Sequence, residues 1–92
     1  MSGCIQSQIR LVQLLDAYDS AQRAAEICPW SEAQMDKAEA LYDEMFRVAF
    51  ACGYQPGRDH AHLTTYEYAQ MRAETLRRVF PAHLAQANRK AA

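Results

Sequence analysis

Pro29-Trp30-Ser31-Glu32-Ala33-Gln34-Met35 is the stretch that decides the fold. Pro29 biases Cys28 away from helical dihedrals and closes whatever helix precedes it. Ser31 is placed to cap a new helix, with Gln34 three residues later completing a capping box and Trp30 able to staple onto Met35. One helix therefore ends and another begins within four residues.

Downstream, Ala38, Leu41, Tyr42, Met45, Val48, Ala49 and Cys52 recur at three- and four-residue steps, with Asp36, Lys37, Glu39, Asp43, Glu44 and Arg47 between them. That spacing is the mark of an amphipathic helix. It predicts a helix over about 31–52, ended by Gly53 in the C′ position. Upstream, Cys4, Leu11, Leu14, Leu15, Tyr18, Ala21, Ala25 and Cys28 form a similar stripe, and Arg10, Asp16, Asp19, Arg23 and Glu26 fall outside it. A first helix over about 4–28 follows.

Leu63-Thr64-Thr65-Tyr66-Glu67-Tyr68 repeats the start signal, with Thr64 as cap, Glu67 at the box position and Leu63 facing Tyr68 as staple. The third helix, about 64–80, takes Tyr66, Ala69, Ala73, Leu76 and Phe80 as its inner stripe. Pro81 ends or kinks it. Ala82, Leu84 and Ala87 allow a short helix over about 82–89, with fraying expected from Asn88 onward. The long connection, 53–63, carries a Pro56-Gly57 turn. The two start signals lie 33 residues apart, near the length of tetratricopeptide repeats, but the side-chain signature of that repeat is absent.

Composition agrees with helices throughout. The chain has only three glycines and three prolines, and β-branched residues are scarce beside Ala, Leu, Glu, Gln, Met and Arg. The expectation is one all-α domain over 1–92, a small three-helix up-down-up bundle with a short C-terminal helical extension. At 92 residues such a chain buries roughly 60 to 65% of its unfolded surface, so stability is thin and a partner would add to it. No apolar run approaches a membrane span, and the first residues lack a basic stretch followed by an apolar one. Three cysteines cannot all pair within one chain. Reduced thiols and a cytoplasmic location are expected.

Charge is unevenly spread. Residues 1–57 carry four Lys or Arg against eight Asp or Glu, whereas 68–92 carry Arg72, Arg77, Arg78, Arg89 and Lys90 against Glu74 alone. With a formal net charge of −1, a generally basic nucleic-acid binder is excluded. The basic C-terminal third, with His83 inside it, nevertheless suits phosphate groups, and nucleic-acid binding through Arg72, Arg77, Arg78, Arg89 and Lys90 is one alternative. Against it, no helix-turn-helix precedes these residues, and cations near a helix C-terminus also favour the helix dipole.

A second alternative is a structural metal site. In an up-down-up bundle the 53–63 loop returns to the start of the first helix, so Cys4, Cys52, His60 and His62 can converge as tetrahedral zinc ligands. No Cys-x-x-Cys or His-x-x-x-His clip preorganises them. The same geometry allows a Cys52 thiolate with His60 or His62 as base, but a helix C-terminus opposes thiolate formation. Asp36, Glu39, Asp43 and Glu44 read as a solvated helix face. No enzyme activity and no cofactor are expected.

The aromatics give the leading reading. Tyr18, Trp30, Tyr42, Phe46, Phe50, Tyr54, Tyr66, Tyr68 and Phe80 are more than one narrow seam per helix can hide. Phe46 and Phe50 lie one turn apart on the flank of the second helix, and Tyr68 and Met71 lie off the expected inner stripe of the third. Exposed aromatics, Met and Arg are enriched at interfaces. The chain is read as a noncatalytic protein-protein interaction module, such as a small regulator, inhibitor or assembly factor. Phe46, Phe50, Tyr68 and Met71 anchor another protein or a second copy of the chain, and Arg72 and Arg78 orient it.

Overall fold

The computed structural model describes residues 5–91, apart from the side chains of Asn88, Lys90 and Ala91. It is all-helical among the described residues, with α1 (Ile5–Ile27), α2 (Glu32–Ala51), α3 (Thr65–Val79) and α4 (Pro81–Ala91). α1 is the common partner, packing against α2, α3 and α4. No helix among the described residues is long and apolar enough to cross a membrane.

Each boundary has a local cause. α1 closes as Cys28 donates its amide to the Ala24 carbonyl, one residue before Pro29. At α2, the Ser31 side chain accepts from the Gln34 amide at 3.4 Å, but the reciprocal half of the expected box is missing. The Ser31 amide is already satisfied by the Cys28 carbonyl at 3.0 Å, which leaves Gln34 no donor to reach. The expected Trp30 staple also buries little, because Trp30 is 79% exposed. At α3 the box is complete: Glu67 donates its amide to Thr64 Oγ1 at 3.1 Å and accepts the Thr64 amide at 2.9 Å.

Pro81 both ends α3 and opens α4. At the first helical position its missing N–H has no intrahelical role, so it starts the new helix at no cost in hydrogen bonds. Phe80 breaks the spiral between them with ψ of 50°. The extension is longer than expected and keeps its helical backbone through Asn88 to Ala91. His83, Gln86 and Ala87 line a small cleft of about 110 Å³ with Gln6 and Ile9 of α1.

The core gathers Ile9, Leu11, Val12, Leu14 and Leu15 of α1 with Met45 and Ala49 of α2, Cys52 and Tyr54 just beyond it, Tyr68, Ala69, Ala73 and Leu76 of α3, and Leu84 of α4. α1 buries a wider arc than a single seam because it has neighbours on more than one side, which brings Ile9 and Val12 inside. On α3 the inner stripe is rotated from the expected one. Thr65, Tyr68, Ala69, Ala73 and Leu76 are buried, whereas Phe80 is exposed. The molecule is a thin slab with extents of 41 × 35 × 17 Å, little more than the thickness of one helix packed on another.

Candidate protein-interaction surface

The C-terminus of α2 and the loop that follows it build a hydrogen-bonded part of the surface. Gly53 has φ of 103°, a region a side chain strongly disfavours. Its amide bonds to the Phe50 carbonyl at 3.0 Å, and the Tyr54 amide to the Ala49 carbonyl at 2.9 Å. This is the Schellman arrangement, which turns the residue after glycine back onto the helix it leaves. Tyr54 is consequently buried.

Tyr54 then organises what surrounds it. Its hydroxyl donates to the Leu63 carbonyl at 2.6 Å, tying together the two ends of the 53–63 loop. Its ring lies 4.8 Å from Tyr68 and 5.8 Å from His60. His60 Nδ1 accepts the Gln55 amide at 2.9 Å, and its ring meets Tyr68 edge-on at 5.0 Å. On the outer side the rings of Phe46 and Phe50 lie 6.3 and 6.1 Å from Tyr54 and 4.8 Å from each other, edge to face. Phe46 is 39% and Phe50 50% exposed. An open cleft of about 450 Å³ runs beside Phe50, walled by Tyr54, Pro56 and Arg58. The end of α2 thus forms an aromatic surface backed by a hydrogen-bonded loop.

The expected anchors divide. Phe46, Phe50 and Met71 are exposed, as is Arg78. Tyr68 is not an anchor: it is 0% exposed, donates to the Cys52 carbonyl at 3.2 Å and accepts Arg72 Nε at 2.9 Å. The rotated stripe of α3 causes this, because the end of α2 and the 53–63 loop cover the side of α3 that carries Tyr68. Arg72 is half-buried, with its guanidinium 5.3 Å from the Tyr68 ring centre. It serves the core before any partner.

Of the other basic residues, Arg77 stands 4.0 Å from Asp16, with both side chains more than half exposed. Arg78 and Arg89 are exposed, and the side chain of Lys90 lies outside the described residues. The expected metal ligands do not come together as a set. Cys4 lies outside the described residues, Cys52 is buried, His60 uses Nδ1 for the Gln55 amide, and His62 is exposed. Among the described residues no three His, Cys, Asp or Glu side chains are grouped to hold a metal ion. On the acidic face, Glu44 accepts from Arg47 at 2.8 Å. That hydrogen bond, with the Arg47 charge, holds its carboxyl below the ordinary range.

A second region, missed by periodicity, lies between α1 and α2. The Tyr18 ring meets Tyr42 at 5.3 Å and Tyr66 at 5.8 Å, both edge-on. Tyr66 donates to Asp19 Oδ1 at 2.6 Å, and this bond to a carboxylate is the main reason its hydroxyl titrates above the usual tyrosine value. An open groove of about 540 Å³ runs on one side of Tyr18 and one of about 370 Å³ on the other. Tyr18 and Tyr42 sit on the expected stripes, but the groove arises because small Ala25 and Ala38 line it where larger side chains would fill it. No protein-family model, curated protein or solved structure matches the chain.

Proposed function

We propose that this protein is a noncatalytic interaction module of the cytoplasm, which acts by presenting the Phe46–Phe50 face to another protein. The observation that carries the reading is an inversion of the usual burial order. The three phenylalanines, Phe46, Phe50 and Phe80, are exposed, while Tyr54 and Tyr68 are buried and Tyr18, Tyr42 and Tyr66 half-buried. A phenylalanine has no polar atom to satisfy and gains most from leaving water. Phe46 and Phe50 stand outside against the buried Tyr54 ring, with an open cleft beside Phe50, as the anchors of an interface do. Met71 and Arg78 add to the exposed set, and a small regulator, inhibitor or assembly factor fits such a surface.

The test compares immobilised wild type with Phe46→Ala/Phe50→Ala as baits for protein from the source cell. Captured species that are reproducibly lost with the double variant, at an unchanged circular dichroism spectrum, support the proposal. Identical captured sets would sink it.

Nucleic-acid binding is the second reading, favoured by one observation: no Asp or Glu follows Glu74, and Arg77, Arg78 and Arg89 are exposed. With Arg72 engaged by Tyr68, fewer cations remain for phosphates than the sequence offers. Retention on duplex DNA that falls steeply with salt and disappears in Arg77→Glu/Arg78→Glu supports it. Equal weak retention of both proteins disposes of it.

A further inference from the structure

The charged side chains that border the grooves flanking Tyr18 are mainly carboxylates. Asp19 and Glu26 border one, with Arg23 as the only cation, and Glu39 and Asp43 border the other. The floor is apolar and aromatic, with Tyr18, Tyr42, Ala25, Ala38 and Met35, and Met35 is itself exposed. An apolar furrow with an acidic rim fits a partner segment that is basic at its edges and carries an apolar knob at its centre.

The chain contains such a segment. At the α3–α4 junction Arg77 and Arg78 precede Val79 and Phe80, which are 53% and 41% exposed. Pro81 fixes the backbone just beyond them. His83 meets the Phe80 ring edge-on at 5.7 Å and steadies it. The whole stretch from Thr75 to Ala92 is free of acidic residues. Among the described residues Val79 and Phe80 stay about half open to solvent, and the intrachain Arg77–Asp16 contact, at 4.0 Å between exposed groups, is of the kind that contributes little and exchanges freely.

We propose that the α3–α4 junction of one copy docks into the acidic, tyrosine-walled groove between α1 and α2 of a second copy. Phe80 enters against Tyr18 and Tyr42, and Arg77 and Arg78 pair with Glu39 and Asp43. The contact is independent of the Phe46–Phe50 face. It involves one short segment, so it belongs with the weak, salt-sensitive associations rather than the permanent dimers.

Sedimentation velocity of the full chain tests this, from about 10 µM to about 1 mM at low and high salt. Wild type is expected to associate progressively at low salt, with the apparent dissociation constant rising at least about tenfold at high salt. Glu39→Arg/Asp43→Arg and Arg77→Glu/Arg78→Glu change only exposed side chains. Each is expected to weaken self-association by more than about tenfold. The first double variant keeps Arg77 and Arg78 but reverses the groove, and the second keeps the groove but reverses the junction. The groove-reversed and junction-reversed proteins are complementary to each other, so an equimolar mixture is expected to regain association. A monomer at every concentration, charge variants that associate like wild type, or a mixture that stays monomeric would each overturn the proposal. Association lost only in Phe46→Ala/Phe50→Ala would also overturn it, and would move the self-contact to the other face.

Discussion

Replacing Tyr68 by Phe removes one oxygen atom and leaves nearly all of the packed ring in place. That hydroxyl donates to the Cys52 carbonyl at 3.2 Å and accepts Arg72 Nε at 2.9 Å, at a side chain with no exposure to solvent. The Arg72 N–H and the carbonyl at the end of α2 are left without this partner, at a cost of about 1 to 3 kcal/mol. Tyr68→Ala loses the ring as well and opens a cavity, costing about 3 to 5 kcal/mol. Phe50→Ala, at a half-exposed position, costs only about 1 kcal/mol, because little area leaves the interior. In a domain of this size one kcal/mol moves the melting temperature by roughly 4 to 8 °C. Thermal unfolding followed by circular dichroism should therefore order the three as Phe50→Ala, then Tyr68→Phe, then Tyr68→Ala, which should lie more than about 12 °C below wild type. Arg72→Met combined with Tyr68→Phe should cost less than the sum of the two single changes, since both remove the same contact. If Phe50→Ala destabilised as much as Tyr68→Ala, or Tyr68→Phe left stability unchanged, the division between a buried Tyr68 and an exposed phenylalanine face would be wrong.

Other perturbations probe the elements that hold that face. Gly53→Ala forces a side chain onto φ of 103° and should cost about 1 to 2 kcal/mol, seen as an earlier urea midpoint with an unchanged slope. Thr64→Ala removes the cap of α3 and should cost about 1 kcal/mol, measurable in the same titration. The raised hydroxyl titration of Tyr66 means that its bond to Asp19 contributes stability that is fully present below the ordinary tyrosine value and is lost as pH rises through the higher folded value. The stability gap between wild type and Tyr66→Phe, about 1 kcal/mol at neutral pH, should accordingly close in strong alkali, and a gap constant to high pH would contradict the assignment. Glu67 behaves in the opposite sense. Thr64 holds its carboxyl below the ordinary range, so the contribution is present above that range and lost as pH falls through the lowered folded value. Glu67→Gln, which keeps the box geometry, should flatten the acid limb of a melting-temperature profile.

Local chemistry made the helices legible in the sequence. Pro29, Ser31, Gly53, Thr64 with Glu67, and Pro81 each act through atoms within a few residues, and the helices α1, α2 and α3 end within about three residues of where these signals place them. The rotation of α3 was not legible, because periodicity gives two stripes one residue apart, 66/69/73/76/80 and 65/69/73/76 with 68. The choice depends on which neighbour lies above it. Small Ala69 and Ala73 are common to both stripes and do not discriminate between them, and a stripe through Tyr66 and Phe80 leaves Tyr68 outside. The groove between α1 and α2 was also hidden. It exists because Ala25 and Ala38, both on the expected apolar stripes, line the space beside Tyr18 and Tyr42 without filling it. His60 looked like a ligand in the sequence, and only the folded loop shows its imidazole holding the Gln55 amide.

The tyrosines show why a core this thin leaves its phenylalanines outside. Tyr54 reaches the Leu63 carbonyl, Tyr66 reaches Asp19 and Tyr68 reaches the Cys52 carbonyl, so each fastens a loop or a helix end while its ring fills the interior. A phenylalanine at any of these positions would pack as well but fasten nothing. The few large sites inside a slab 17 Å thick therefore go to side chains that fill space and carry a hydroxyl. That argument explains why tyrosine is inside, but it gives no reason for phenylalanine, rather than glutamine or lysine, at 46, 50 and 80. Folding alone gains little from an apolar ring left half in water. Phe50, with Phe46 packed against it, borders an open cleft, and Phe80 lies in a basic junction. Phe46 and Phe50 gain ring contacts with each other and with Tyr54, and Phe80 with His83; contact with a second surface, as proposed above, is a further gain that Phe brings there and a polar residue does not.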